Sequence, residues 1–161
     1  GTPESYIESG FDGGKLVKGR KRHIVVDTMG CLIVVWVHAA NIFDGKAAHQ
    51  VITNLFLLLE TINKIWADSA YSGAELFNWV FARFGCVLEV VRKEKGLKGF
   101  HVLPRRWVVE RTFAWLIRSR RLNKDYERKP TSSEAQVYLA SSRLLLRQIC
   151  NNQTPYKKAV A

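Results

Sequence analysis

The chain has 161 residues, of which 47 % are hydrophobic and 24 % charged, a composition typical of one globular domain and unlike that of disordered or collagen-like chains. Its 25 lysines and arginines against 14 acids give a formal net charge of +11, which favours a polyanionic partner over a membrane surface. The longest apolar run, residues 31–40, is about half a membrane span, so we expect no membrane-spanning segment. Three widely spaced cysteines indicate reduced thiols in a cytoplasmic protein.

The first third of the chain predicts a connector followed by a β-hairpin. Residues 1–20 are rich in glycine and charge and are expected to connect rather than to pack. Two runs rich in β-branched residues follow, at 22–26 and 31–39, and between them Asp27 and Gly30 occupy the first and fourth positions of a type I turn. We therefore assign Asp27 to the turn.

Strands and helices alternate through the remainder of the chain. Apolar spacing predicts helices over 43–60, starting near Asp44, and over 73–84, with Gly85 at the helix end. Short strands are predicted at 64–67 and 86–91, and a glycine-broken loop at 93–99. Two helices follow, at about 107–122 and 132–150, the second opened by a capping segment at 131–134. The pattern predicts an α/β domain with a mixed sheet.

The basic residues are concentrated in three windows, 15–22, 92–98 and 105–128, which together hold 17 of the 25. Such bunching favours nucleic acid as the partner. The candidate DNA-binding residues are Lys15, Lys18, Arg20, Lys21, Arg22, Arg105, Arg106, Arg111, Arg118, Arg120 and Arg121. The spacing of histidines and cysteines predicts no zinc site, and no phosphate-binding loop or hydrolase nucleophile elbow occurs.

Two carboxylates stand out as candidate metal ligands. Asp68 follows a predicted apolar strand, at the sheet edge where α/β folds bind ligands, although a helix N-cap is the simpler role for it. Glu110 lies among arginines on a predicted helix, where it forms either a structural ion pair or a metal site whose basic neighbours bind phosphate. Mg²⁺ takes one or two carboxylates together with substrate phosphates, so the pair fits that ion.

Three segments, Gly19–Gly30, Trp66–Gly73 and Leu103–Leu116, resemble the catalytic domain of bacterial insertion-sequence transposases with an Asp-Asp-Glu triad, the insertion sequence five family. The resemblance implies a ribonuclease H-like fold and identifies Asp68 and Glu110 as the second and third catalytic acids. Relatives carry the first aspartate on a strand ahead of the Gly-Arg-Lys-Arg-His stretch, and no such segment precedes Lys15 here. The resemblance therefore implies an N-terminally truncated fold whose first, central strand is missing.

The domains expected from the resemblance are a connector (1–20), a partial catalytic domain (21–150) and a C-terminal tail (151–161). The implied activity is DNA strand cleavage and transfer with Mg²⁺ or Mn²⁺, on double-stranded DNA at transposon ends and target, in a nucleoid-associated bacterial protein that forms a homodimer at full length. With two acids, we expect this chain to be inactive. Two alternatives are a split-frame product active only after fusion, and a decayed, non-catalytic DNA-binding module.

Overall fold

A computed structural model describes residues 8–14, 16–91 and 105–153 of the chain. The elements follow in the order β1 (Gly10–Asp12), β2 (Val17–Val26), β3 (Leu32–Ala39), α1 (Asp44–Leu58), β4 (Lys64–Ala67), α2 (Ala74–Phe84), β5 (Val87–Val90), α3 (Arg106–Ile117) and α4 (Pro130–Gln153). One-turn 3₁₀ helices lie at Ser69–Tyr71 and Arg120–Leu122. This order confirms the predicted α/β class, while the predicted 93–99 loop lies outside the described residues.

The strands form two separate sheets rather than the single mixed sheet that the sequence predicts. Strands β1, β2 and β3 make an antiparallel sheet with β2 in the middle, whereas β4 and β5 pair in parallel. Because β1 pairs only with residues 17–19 of β2, no described strand pairs with residues 20–26 on the edge opposite β3. Strand β4 likewise has β5 on one edge and no described strand on the other. The sheet is thus divided between β2 and β4.

The turn between β2 and β3 forms as predicted. The Gly30 N–H donates to the Asp27 carbonyl (3.1 Å), and Asp27 Oδ1 accepts from the N–H groups of Met29 and Cys31 (2.8 Å each). Gly30 has φ of +87°, so this is a type I turn followed by a left-handed residue, a common three-residue hairpin loop. The hairpin is longer than predicted, because β2 already begins at Val17, inside the expected connector.

Two predicted helix boundaries differ in detail from the structure. Helix α2 ends at Gly85 (φ +63°) as predicted, but α3 ends at Ile117, because Ser119 is extended and a 3₁₀ turn then brings Leu122 into the core. Helix α4 begins at Pro130, whose fixed φ suits a first helical position, so the predicted 131–134 capping segment lies inside the helix.

The antiparallel sheet is a middle layer between helices. Val34 packs with Val51 and Leu55 of α1. Val35 and Val37, two residues apart on β3, pack with residues of α3 and α4. Since successive side chains of a strand point to opposite faces, α1 covers one face of this sheet and α3 and α4 the other. A further apolar cluster joins α1, α2 and β5.

Helix α4 also covers the outer edge of β3. The Val35 N–H donates to the Tyr138 hydroxyl (3.2 Å), and the Val37 N–H donates to Glu134 Oε1 (2.8 Å). Burial raises the pKa of the Glu134 carboxyl above its ordinary value. These side chains satisfy backbone donors that an edge strand otherwise exposes.

Replacement of Glu134 tests this edge contact. Glu134→Ala should lower the free energy of unfolding by about 1 to 3 kcal/mol, because it leaves the Val37 N–H buried without an acceptor. Glu134→Gln keeps an acceptor and should cost less. Because the folded-state pKa is raised, the wild type should lose stability as pH rises through that pKa, and the glutamine variant should lack this part of the pH dependence. Urea unfolding between pH 4 and 8 would show it; equal losses for both variants would contradict the assignment.

Candidate active site

Asp68 lies directly after β4 and starts a tight turn. Its Oδ1 accepts from Ser69 Oγ (2.9 Å) and from the Ala70 N–H (3.4 Å), and its carbonyl accepts from the Tyr71 N–H (3.0 Å). The simpler N-cap role expected for Asp68 is therefore present. It holds the carboxylate at the carboxyl end of β4, and Glu110 is exposed on α3.

Asp68 and Glu110 line one cavity of about 540 Å³, which lies between the two sheets. Residues of β2 and β4 form two of its sides, and residues of α1 and α3 form the others. Most of the lining is apolar. The charged residues in the lining are Arg22, Asp27, Lys64, Asp68, Arg105 and Glu110. The structure thus brings the two predicted acids to a common cavity at the division between the sheets.

Asp27 lines the same cavity from its position in the hairpin turn. The hairpin turn folds onto α3, where Arg111 Nη2 donates to the Met29 carbonyl (2.6 Å) and Thr112 Oγ1 donates to the Gly30 carbonyl (2.9 Å). Asp27 still serves the turn through its two backbone hydrogen bonds. Over the described ranges, no group of three His, Cys, Asp or Glu residues is placed to hold a metal ion.

The donor chemistry of the cavity fits one hard divalent cation. Carboxylate oxygens are the ligands that Mg²⁺ and Mn²⁺ prefer, and Asp68 and Glu110 both line the cavity. A second ion would need a further carboxylate close to these two, and Asp27 forms no metal-holding group with them in the described part of the chain. The residues present therefore match part of a two-metal site.

His23 and Tyr71 form a contact between the two halves of the cavity that sequence reasoning did not find. His23 Nδ1 is hydrogen bonded to the Tyr71 hydroxyl, and the His23 ring stacks on His38 at 4.7 Å. Burial raises the pKa of the Tyr71 phenol, so its proton stays on the oxygen. The contact ties β2 to the turn that follows Asp68. The only sequence signal is the presence of both residues in the segments that resemble transposases.

The three basic residues at the centre of β2 are used inside the protein. The Arg20 side chain is 1 % exposed and pairs with Asp125 (3.3 Å), and Lys21 pairs with Asp44 (3.0 Å). Arg22 donates to the Leu122 carbonyl (2.9 Å). These contacts join the antiparallel sheet to α1 and to the segment before α4.

Of the other candidate DNA-binding residues, Arg111 is held by two aromatic rings and several others are exposed to solvent. The Arg111 guanidinium lies between the rings of Trp107 (4.4 Å) and Trp115 (4.6 Å). The exposed residues are Lys18, Arg105, Arg118, Arg120 and Arg121, the last paired with Glu127 at 2.8 Å. Lys15 and the side chain of Arg106 lie outside the described part of the chain.

The described residues thus combine a strand-and-helix domain, two acids on one cavity and several exposed basic residues. Residues 1–146 match the profile of the family described as "Transposase DDE domain". The chain therefore belongs to the transposase DDE-domain family, whose membership implies a DNA substrate and a divalent metal. No curated protein and no solved structure matches the chain. None of the described helices is long and apolar enough to cross a membrane.

Proposed function

We propose that this chain comes from the catalytic domain of an insertion-sequence transposase of the insertion sequence five family, with a ribonuclease H-like fold, a domain that cleaves and joins DNA strands when a third carboxylate completes the pair formed by Asp68 and Glu110. The observation that carries the proposal is that Asp68 and Glu110 line the same cavity. These two carboxylates would hold Mg²⁺ or Mn²⁺. When bound, such ions activate an attacking water or 3′-hydroxyl and stabilise the leaving oxygen in phosphoryl transfer.

The chain's own residues hold the two acids in place from different elements. The turn at 68–71 holds Asp68, and its Tyr71 contacts β2 through His23. Glu110 is followed on α3 by Arg111 and Thr112, which hydrogen bond to the hairpin turn. Each acid is thereby connected to the β2–β3 hairpin, so the hairpin sets the positions of both.

We infer that the described strands β2 and β4 leave room for one central strand between them. The Ala40 N–H donates to the Gly19 carbonyl (3.0 Å), so the backbone groups of Gly19 face β3. In an antiparallel pair every second residue bonds to the partner strand. Arg22 and Ile24 therefore turn their backbone groups to the open edge of β2. Strand β4 is open on one edge as well, and the cavity between the two strands is lined by apolar side chains. An extended segment fits this arrangement, and a carboxylate at its end would complete a triad.

Metal binding tests the proposed site. In the presence of a short DNA duplex, Mn²⁺ should bind the wild-type chain, and Asp68→Asn and Glu110→Gln should each weaken that binding about tenfold or more, because each removes a charged oxygen ligand. Glu75→Gln, which changes an exposed acid in the first turn of α2, is the matched control and should bind as the wild type does. Electron paramagnetic resonance of Mn²⁺ measures all four. Equal binding by wild type, Asp68→Asn and Glu110→Gln would exclude the two acids as ligands.

Strand cleavage separates the alternatives that remain open. On our proposal, the 161-residue chain with Mg²⁺ does not nick supercoiled DNA, because two carboxylates hold only part of the two-metal site. Nicking by this chain, abolished by Asp68→Asn, would show that the site is already complete. Activity only after fusion to a preceding segment would favour a split-frame product, and DNA binding without activity in any form would favour a non-catalytic DNA-binding module.

A further inference from the structure

Tyr71 anchors the turn that carries Asp68. Ser69 and Ala70 of this turn are exposed, whereas the Tyr71 ring packs against the apolar cluster that joins α1, α2 and β5. The Tyr71 hydroxyl is hydrogen bonded to His23 of β2, so this bond crosses the division between the two sheets. Both side chains line the cavity that also contains Asp68. Tyr71 therefore connects the turn to the antiparallel sheet.

The polar groups around His23 give this hydrogen bond a direction. Burial raises the pKa of the Tyr71 phenol, so the hydroxyl keeps its proton and donates it to His23 Nδ1. A nitrogen that accepts carries no hydrogen, so the ring proton is on Nε2, which lies 4.0 Å from Asp44 Oδ1 at the start of α1. The Asp44 carboxylate favours this tautomer. The contact with Tyr71 thus uses the neutral form of His23.

Charged and titratable groups face His23 from several elements. On β2, Lys21 pairs with Asp44 (3.0 Å) and with Asp12 of β1 (3.4 Å). On β3, the His38 ring stacks on His23, and burial lowers the pKa of His38, so that ring stays neutral. The cavity lining that includes His23 also contains Arg22, Asp27, Lys64, Asp68, Arg105 and Glu110. Acidic and basic side chains ordinarily keep their charges between about pH 5.5 and about pH 8, the range in which an imidazole takes up a proton.

We propose that Tyr71 and His23 are positioning residues for Asp68, and that they hold it for metal binding only while the His23 ring is neutral. This inference rests on the proposed function, which supplies the metal site. A protonated His23 carries a hydrogen on Nδ1 and cannot accept there, so the Tyr71 hydroxyl loses its acceptor and the turn loses its connection to β2. Groups that orient a metal ligand affect metal affinity strongly. The affinity for the ion should therefore fall as His23 takes up a proton.

Manganese binding across pH tests this inference. We use the 161-residue chain with a short DNA duplex and follow Mn²⁺ by electron paramagnetic resonance. Wild-type affinity should fall about tenfold from about pH 8 to about pH 5.5. Tyr71→Phe keeps the ring and removes the donor, so it should bind about tenfold more weakly than the wild type at the higher pH and lose less on acidification.

Two histidine substitutions complete the experiment. His23→Asn places an amide oxygen near the Nδ1 position and takes up no proton in this range, so it should bind as the wild type does at about pH 8 and keep that affinity at about pH 5.5. His49→Asn is the matched control. His49 lies on α1, where its Nδ1 bonds to the Gly45 carbonyl (3.3 Å), and it is outside the described cavity lining. This control should follow the wild type at every pH.

The profiles distinguish a positioning role from a purely structural one. If the contact only stabilises the fold, Tyr71→Phe lowers the melting temperature but keeps the wild-type Mn²⁺ affinity and pH profile, and the inference is wrong while the proposed function stands. Should Tyr71→Phe fail to fold, His23→Asn decides alone, because a profile equal to that of the wild type overturns the inference. If the wild type binds no Mn²⁺ at any pH, the proposed function is wrong and the inference with it.

Discussion

A synthetic strand that enters the gap between β2 and β4 should raise the melting temperature of this protein by about 5 to 10 °C at a concentration 100-fold above its dissociation constant. The strand would hydrogen bond to two open edges at once and bury apolar surface against α1 and α3. A strand covered on both faces needs a continuous apolar run. The probe is therefore a peptide of five valine and isoleucine residues followed by aspartate, with flanking lysines for solubility.

The matched control is the same peptide with alternate backbone amides N-methylated, which keeps the side chains and removes the donors. Hydrogen exchange should slow at β2 residues such as Ile24 and at β4 residues such as Trp66, whose backbone N–H groups face the open edges, with the first peptide only. The aspartate peptide should also permit Mg²⁺-dependent nicking that Asp68→Asn abolishes. Equal protection by both peptides would mean that the cavity binds apolar side chains without forming a strand, and no protection by either would reject the missing strand.

Removal of three exposed arginines should change the salt dependence of DNA binding more than any single substitution. The chain should bind duplex DNA with little sequence preference, and log K should fall with log salt at about 0.9 per phosphate contacted. Replacing Arg118, Arg120 and Arg121 by serine should lower this slope by about 2.7 if each contacts one phosphate. All three are exposed and follow α3, and among the residues that the structure describes Arg121 alone of the three pairs with an acid. Fluorescence anisotropy between 50 and 300 mM salt measures the slope.

The control for this experiment removes the same charge elsewhere. Arg83 on α2 and Arg143 and Arg147 on α4 are also exposed, and their replacement by serine should leave the slope within about one contact of the wild type. An equal fall for the two triple variants would show that net charge, rather than a particular surface, determines binding. A wild-type affinity that does not depend on salt would remove the electrostatic basis of the DNA-binding proposal.

Local signals in the sequence predicted much of this fold. The turn at Asp27 and Gly30, the strand that ends before Asp68 and the helix that ends at Gly85 each depend on residues close together in the chain. A glycine that tolerates positive φ and an aspartate that accepts from nearby N–H groups act in the same way in most folds. The family resemblance predicts that Asp68 and Glu110 belong to one site, and in the structure both residues line one cavity.

The sequence could not predict features that depend on contacts between distant residues. Asp27 reaches the cavity because Arg111 and Thr112, more than 80 residues later, bind its turn. The sequence places Arg20 in a basic run and so predicts a surface charge, but its side chain is buried and pairs with Asp125. Composition and periodicity describe one segment at a time, and neither indicates which distant segment will supply a partner.

The contact of α4 with β3 determines where another chain could add to the antiparallel sheet. Growth of a sheet by strand exchange, the first step of many aggregates, needs a row of unpaired N–H groups on an accessible edge. Tyr138 and Glu134 accept hydrogen bonds from the Val35 and Val37 N–H groups of β3, so these two groups are not available to a strand of another chain. Along residues 20–26 of β2, the remaining open edge faces a cavity between α1 and α3. A second copy would have to thread an extended segment between two helices to reach it, which makes this edge selective for a single, well-fitted strand.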